Sequence, residues 1–479
     1  MNRKMIICMP LQIVKAEALL MLIPTLVAAV LKEPCIWSFL ITIGGALLLT
    51  IPVTHFLKPD SGVIYAKEGF VIVALSWVLI SAVGAVPFVL SGNIPNYADA
   101  LFETVSGFTT TGSSILNNVE ALETGIQFWR CFTHWLGGMG ILVFVMAIAN
   151  TSDRPIHIMR AEMPGPIVGK LVPKAKDTAK ILYVIYFAMT VLMVLFLLAG
   201  KMPFLEALMH AFGTAGTGGF GVHPDSVAGY SPYIQWVITV FMVLFGVNFN
   251  LYYLILIKRF REALTSRELW VYLGVILTAV GIITANIYHL FGSFSEALRK
   301  GAFQVASIVT TTGFTTADFD AWPQLSRGIL FILMFCGACA GSTAGGLKIS
   351  RIMILFKSVK RELRKLLHPR TVECIRLEGK KVDETTVANT SSYFTLYFIC
   401  IIAVFFLLSF EDFGIETNLS AAVTCFNNVG PGFAAVGPTL SFSEYSVFSK
   451  LVLSAAMLMG RLEIFPVFLA FAPTTWTKK

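Results

Sequence analysis

The sequence predicts an all-α polytopic membrane protein. Four span–re-entrant loop–span repeats surround a pseudo-fourfold axis, and two extra transmembrane helices precede them. Three observations predict this: long apolar runs, basic segments that alternate with acidic ones, and a Gly/Thr cluster that recurs four times. The chain has 479 residues, of which only 13% are charged, about half the roughly 25% of a soluble domain. Its mean hydropathy is +0.76, and a soluble fold of this length could not cover its core with so little charge. Runs such as 70–90, 181–199, 234–257 and 269–287 reach the 18 or so apolar residues that cross a bilayer as a helix.

Charge gives the orientation. The formal charge is +8, and six segments (the N-terminus, 58–67, 154–180, 258–267, 348–381 and the C-terminal tail) hold 27 of the 36 Lys and Arg. The segments between them carry acids, including Asp99, Glu103, Glu120, Glu123, Asp225, Asp318, Asp320, Glu411 and Asp412. Basic connections stay on the cytoplasmic side, so both termini are expected there. Arg3 and Lys4 precede an apolar stretch interrupted by Lys15 and Glu17, which does not read as a cleaved signal. The basic loops carry few interleaved aromatic residues (Tyr65, Phe260 and Phe356), which argues against nucleic acid as a partner. The eight cysteines follow no metal-ligand or disulfide spacing and read as small core residues.

Ten spans fit this pattern: 13–31, 36–57, 69–90, 124–150, 180–200, 232–258, 268–290, 325–357, 388–409 and 446–472. Spans three and four, five and six, seven and eight, and nine and ten are each separated by an external segment. It holds an apolar stretch too short to cross, followed by a small-residue cluster. The clusters end at Gly112, Gly218, Gly313 and Gly430. This gives an N-terminal two-helix unit at 1–60 and repeats at 61–155, 156–262, 263–370 and 371–479.

Non-helical backbone at membrane depth is tolerated only when buried in protein or lining a watery path. Four such loops would converge on the axis. Backbone carbonyls there could replace a cation's hydration shell, in conformations glycine adopts cheaply. The hydroxyls of Thr110, Thr111, Thr217, Thr311 and Thr312 could add oxygen ligands, and half-helix C-termini favour a cation. One cluster alone could equally serve close helix packing; four in register, on one side, point to a filter.

The motifs Thr-Thr-Thr-Gly-Ser at 109–113, Thr-Gly-Gly-Phe at 217–220, Thr-Thr-Thr-Gly-Phe at 310–314 and Asn-Asn-Val-Gly-Pro-Gly at 427–432 resemble those of the potassium transporter superfamily. The nearest branch is the bacterial Trk-type uptake subunit. Residues 337–348, 460–466 and Glu-Met-Pro-Gly-Pro at 162–166 extend the resemblance over essentially the whole chain. It implies a potassium-binding filter at Thr110–Ser113, Gly216–Gly219, Thr311–Phe314 and Asn428–Pro431, with Asn428 and Val429 making the fourth loop the most divergent. Related plant proteins with Ser at the first filter glycine admit sodium more readily, so Gly112 implies potassium preference. The resemblance also implies the bacterial inner membrane, a homodimer, and a soluble nucleotide-binding regulatory subunit on the basic loops.

Span eight carries Gly337, Gly341, Gly345 and Gly346 within ten residues. Each glycine costs up to about 1 kcal/mol in a helix interior, so this span is expected to break. By resemblance the break is an intramembrane gate that includes Lys348 and Arg461. Arg461 lies mid-run in the last span, where a cation costs about 2.5–3.5 kcal/mol even on a lenient scale. Gate-loop carbonyls are its expected partners, and Arg130 is expected to snorkel to an interface. Gly216, Gly218 and Gly221 mimic a dinucleotide motif without a preceding strand, and 341–348 nearly spells a phosphate loop, but Leu347 stands where that loop needs Lys. Neither implies an organic cofactor. His210, His223 and His289 lack metal spacing. No paired carboxylates or activated serine suggest an enzyme. A fourfold repeat fits a channel-like pore better than inverted halves with alternating access, while a sodium- or proton-coupled potassium symporter of the same architecture is the alternative.

Overall fold

The computed structural model describes residues 3–57, 66–140, 175–371 and 373–476. The motif at 162–166, the end of the fourth predicted span, most of two basic segments and the C-terminal lysines lie outside these residues. The described chain is helical apart from one antiparallel hairpin, Arg376–Leu377 with Lys380–Lys381. The Glu378 carboxylate at its tip accepts the backbone N–H groups of Arg267 and Glu268, at 3.1 and 2.9 Å. It thereby satisfies donors that the start of the Arg267–Ile287 helix leaves open.

Four half-helices stand between the spans, at Tyr97–Phe108, Phe204–Ala215, Phe294–Val309 and Ile415–Asn427. The longest has 16 residues; at 1.5 Å per residue it falls short of a roughly 30 Å hydrocarbon core. The first is capped by Asn96, whose Oδ1 accepts the Ala98 N–H; the third starts with Ser293 and Glu296 in capping-box spacing. Each half-helix packs on the second span of the repeat before it. The second touches Thr124–Gly138, the third Pro232–Phe245, the fourth Gln324–Cys336, and the first closes the circle on Val447–Arg461. The N-terminal helices lie outside the circle, against the first repeat.

Among the described residues, six helices are long and apolar enough to cross a membrane, or up to eight if two bent pairs count as spans. The first begins at Arg3, ten residues before the predicted start, and runs through Lys15 and Glu17 because Glu17 turns inward and is buried. Three predicted spans are not continuous. Span eight breaks between Cys336 and Ile349, as its glycines predict. Span six bends by 90° between Phe245 and Phe249, and the last by 118° between Arg461 and Ile464. Hydropathy continues through both bends, so the sequence reading made them straight. The bend in span six is held by the break in span eight: Cys339 N–H donates to Gly246 O, and Phe249 N–H to Gly341 O, both at 3.1 Å. Each break satisfies backbone groups that the other exposes. Asn248 then caps the second segment through the Asn250 N–H, at 2.9 Å.

Asn248→Ala is expected to cost about 1 kcal/mol, the worth of an N-cap, while Asn248→Asp retains most of it. Midpoints of unfolding in detergent check this ordering.

Candidate functional site: a ring of four loops above a broken helix

Each half-helix ends in the same turn. The first residue past its final turn has a left-handed φ: Thr110 (55°), Thr217 (55°), Thr311 (56°) and Asn428 (56°). Two residues later comes a glycine with positive φ: Gly112 (82°), Gly219 (77°), Gly313 (83°) and Gly430 (109°). The hydrogen bonds repeat too. Each first residue donates to the carbonyl three back, and the next residue to the carbonyl five back. This geometry corrects the sequence alignment of loop two. Gly219 is the counterpart of Gly112, Gly313 and Gly430; Gly218 falls at the place of Thr111, Thr312 and Val429, and Gly216 lies one residue before the loop. The sequence marks repeats by glycine, and loop two offers two in succession.

The four loops close on one another. A Cβ on Gly112 would overlap Gly218 O, one on Gly219 would overlap Thr312 O, and one on Gly313 would overlap Val429 O. One on Gly430 would come within 2.9 Å of Thr111 O. Loop one therefore abuts loop two, two abuts three, three abuts four, and four abuts one. Ser113 fastens the last seam by donating to Gly430 O, at 2.9 Å. All four glycines line one open cavity of about 350 Å³, whose wall also includes Arg130 and His223.

The loops leave many backbone oxygens without donors. Among the described residues, no hydrogen-bond donor meets the carbonyls of Thr110, Thr111, Gly112, Thr217, Gly218, Gly219, Thr311, Thr312 or Gly313. Among the described residues the Thr110 hydroxyl has no partner; Asn428 Oδ1, also unpartnered, lies toward Gly460 of the last span, on which Asn428 Nδ2 donates to Met457 O at 3.0 Å. The other side chains expected to offer ligands are engaged. Thr111 Oγ1 accepts from Asn428 Nδ2 and meets Thr109 Oγ1, both at 2.8 Å. Thr312 Oγ1 meets Thr310 Oγ1 at 2.8 Å, Thr311 Oγ1 accepts the Gly345 N–H at 2.7 Å, and the Thr217 hydroxyl donates to Gly216 O at 2.6 Å. Such a set of neutral oxygens, with no carboxylate among them, suits a weakly hydrated monovalent cation better than a divalent one.

The break in span eight lies directly against the ring. Gly337, Gly341, Gly346 and Lys348 all take positive φ, and a Cβ on Gly345 would overlap Asn427 O. Arg461 is buried and ties three repeats together. Its guanidinium donates to Thr343 O in the break at 2.9 Å, and to Gly137 O and Gly138 O at 2.5 and 2.6 Å. Lys348 Nζ folds back onto Ala344 O. Glu463 pairs with Arg351, fixing the helix after the break to the bend after Arg461. Glu268 Oε1 accepts the N–H groups of Ala340 and Ser350, at 2.8 and 3.1 Å.

Arg130 does not snorkel. It is 3% exposed, pairs with Glu103 at 2.6 Å, donates to Gly221 O at 3.1 Å and stacks on Phe220 at 3.5 Å. Glu103 also accepts from Ser114 Oγ and the Ile115 N–H, at 2.9 and 3.0 Å, so the pair pins the exits of loops one and two. Sequence reasoning missed Glu103 as the partner because it was counted only as external charge. The one available signal was an acid within a half-helix that otherwise reads as apolar and small.

The family model described as a cation transport protein, TrkH, matches residues 38–268 and 263–478. The chain is 36% identical over 467 residues to the Trk system potassium uptake protein TrkH of Salmonella typhimurium, covering 95% of each. It is 32% identical over 478 residues to the Trk system potassium uptake protein TrkG of Escherichia coli K12, covering 96% of each. The crystal structure of the potassium transporter TrkH from Vibrio parahaemolyticus superposes with a TM-score of 0.90 at 29% identity, over 100% of both chains.

Glu103→Gln leaves the Arg130 charge buried and unpaired, at an expected cost of about 3 kcal/mol or more. Adding Arg130→Met is expected to recover part of that loss, a coupling that a double-mutant cycle on detergent unfolding measures.

Proposed function

The chain belongs to the TrkH family of cation transport proteins, and we propose that it takes up potassium across the bacterial inner membrane through a channel-like pore. The closed ring of four loops with unclaimed neutral oxygens carries this reading. The C-terminal carbonyl ends of the half-helices lead into the ring, where they favour a cation. An ion entering from the open cavity sheds water, exchanges it for loop carbonyls and the Thr110 hydroxyl, and then meets the break at 337–348. That segment is the gate: it contacts Thr311 through Gly345, and it is held by Arg461 at Thr343. As a transporter the chain performs no covalent chemistry. With both termini in the cytoplasm, an inside-negative potential supplies about 2.3 kcal/mol per charge per 100 mV, enough to drive accumulation without a built-in pump. The relatives are named as parts of a potassium uptake system. The basic cytoplasmic segments are the docking ground for a soluble nucleotide-binding regulatory subunit, and the transporter works as a homodimer.

Rubidium flux into liposomes tests the filter. Gly112→Ser and Gly313→Ser are expected to lower the preference for rubidium over sodium about tenfold, the equivalent of 1.4 kcal/mol; unchanged flux and preference would refute the filter. Deleting residues 338–344 is expected to raise flux, and an equal or lower flux in folded protein would refute the gate. A sodium or pH gradient imposed without a membrane potential is expected to drive no uptake. Uptake under that condition would instead establish a coupled symporter.

A further inference from the structure

Loop two carries glycine at the place where the other loops carry Thr111, Thr312 and Val429. Its backbone does not require this, because Gly218 is not among the residues with positive φ. A neighbouring side chain does. A Cβ on Gly218 would run into the imidazole of His134, whose ring atoms are its three nearest neighbours.

His134 lies on the Thr124–Gly138 helix and is fully buried. Its Nδ1 is 2.7 Å from Gly107 O, in the last turn of half-helix one, and its Nε2 accepts the Phe220 N–H at 3.2 Å. The ring centroid stands 4.1 Å from that of Phe220. Both bonds form together only in the neutral tautomer with the proton on Nδ1. Gly107 O also accepts the Thr110 N–H, at 3.1 Å, so His134 holds the turn that opens loop one and the residue that leaves loop two. In loops one and three this position is braced from within by Thr111 bonded to Thr109 and Thr312 bonded to Thr310.

We propose that His134 is a positioning residue for ion selectivity, supplying from an adjacent helix the side chain that loop two lacks and setting the spacing between loops one and two. This deepens the filter reading above and rests on it.

The test compares wild type, Gly218→Thr, His134→Ala, the double variant and His134→Phe as full-length protein in liposomes. Rubidium flux and rubidium-over-sodium preference are read per unit of monodisperse protein. Gly218→Thr is expected to lose flux about tenfold or more, because the new side chain competes with the imidazole for one space. His134→Ala is expected to keep flux and lose preference by about tenfold, the scale of a buried hydrogen bond lost. The double variant is expected to regain flux relative to Gly218→Thr and preference relative to His134→Ala, a rescue that general destabilisation cannot produce. His134→Phe fills the space without either bond and is expected to lose preference. Wild-type preference in His134→Phe, full flux in Gly218→Thr, or no rescue in the double variant would each overturn the proposal. Gly313→Ser in the same assay separates the two levels. If it alters preference while the His134 variants do not, the positioning role fails and the filter stands. If it too leaves preference unchanged, the filter reading itself falls.

Discussion

Backbone that leaves a helix within a membrane must find partners for its polar groups in the protein or in a watery path, and most of this structure follows from that requirement. The four loops meet it in two ways. N–H groups at the start of each loop turn back onto their own half-helix, and among the described residues most of the loop carbonyls meet no donor, Gly430 O, which accepts from Ser113, being an exception. The breaks in spans six and eight meet it by pairing with each other. Irregular segments therefore occur in contact with one another and not scattered along the spans.

The buried charges obey the same logic. Arg461 spends its donors on carbonyls from two other repeats, and Arg351 and Arg130 each find a carboxylate. Each joins parts of the chain that are distant in sequence, so the first, third and fourth repeats share a single guanidinium beside the break.

Much of this was legible in the sequence, and the failures have definite causes. The four clusters stood out because a left-handed turn selects glycine, a local demand that leaves a local mark. The break in span eight was legible for the same reason. Loop two was misaligned by one residue because the demand for glycine at 218 comes from His134, which lies 84 positions away in the chain. Arg130 was misread because its partner lies 27 residues away, and hydropathy treats a cation near the end of a run as a snorkelling one. The bends at 246–248 and 462–463 interrupt no apolar pattern; tertiary contacts impose them. Wherever composition recorded the constraint, the reading succeeded. Wherever a distant side chain imposed it, the local pattern carried little trace of it.

A channel assembled from identical subunits writes every substitution four times around its axis. Any side chain admitted beside the ion is then admitted in quadruplicate, and a bulky one would crowd the path from all sides. This chain spells each quarter separately. One quarter can borrow an imidazole, another can carry Asn428 in place of threonine, and the other two can remain conservative. Under the filter reading proposed above, selectivity is adjusted one side at a time, in increments that a strictly symmetric assembly has no means of making.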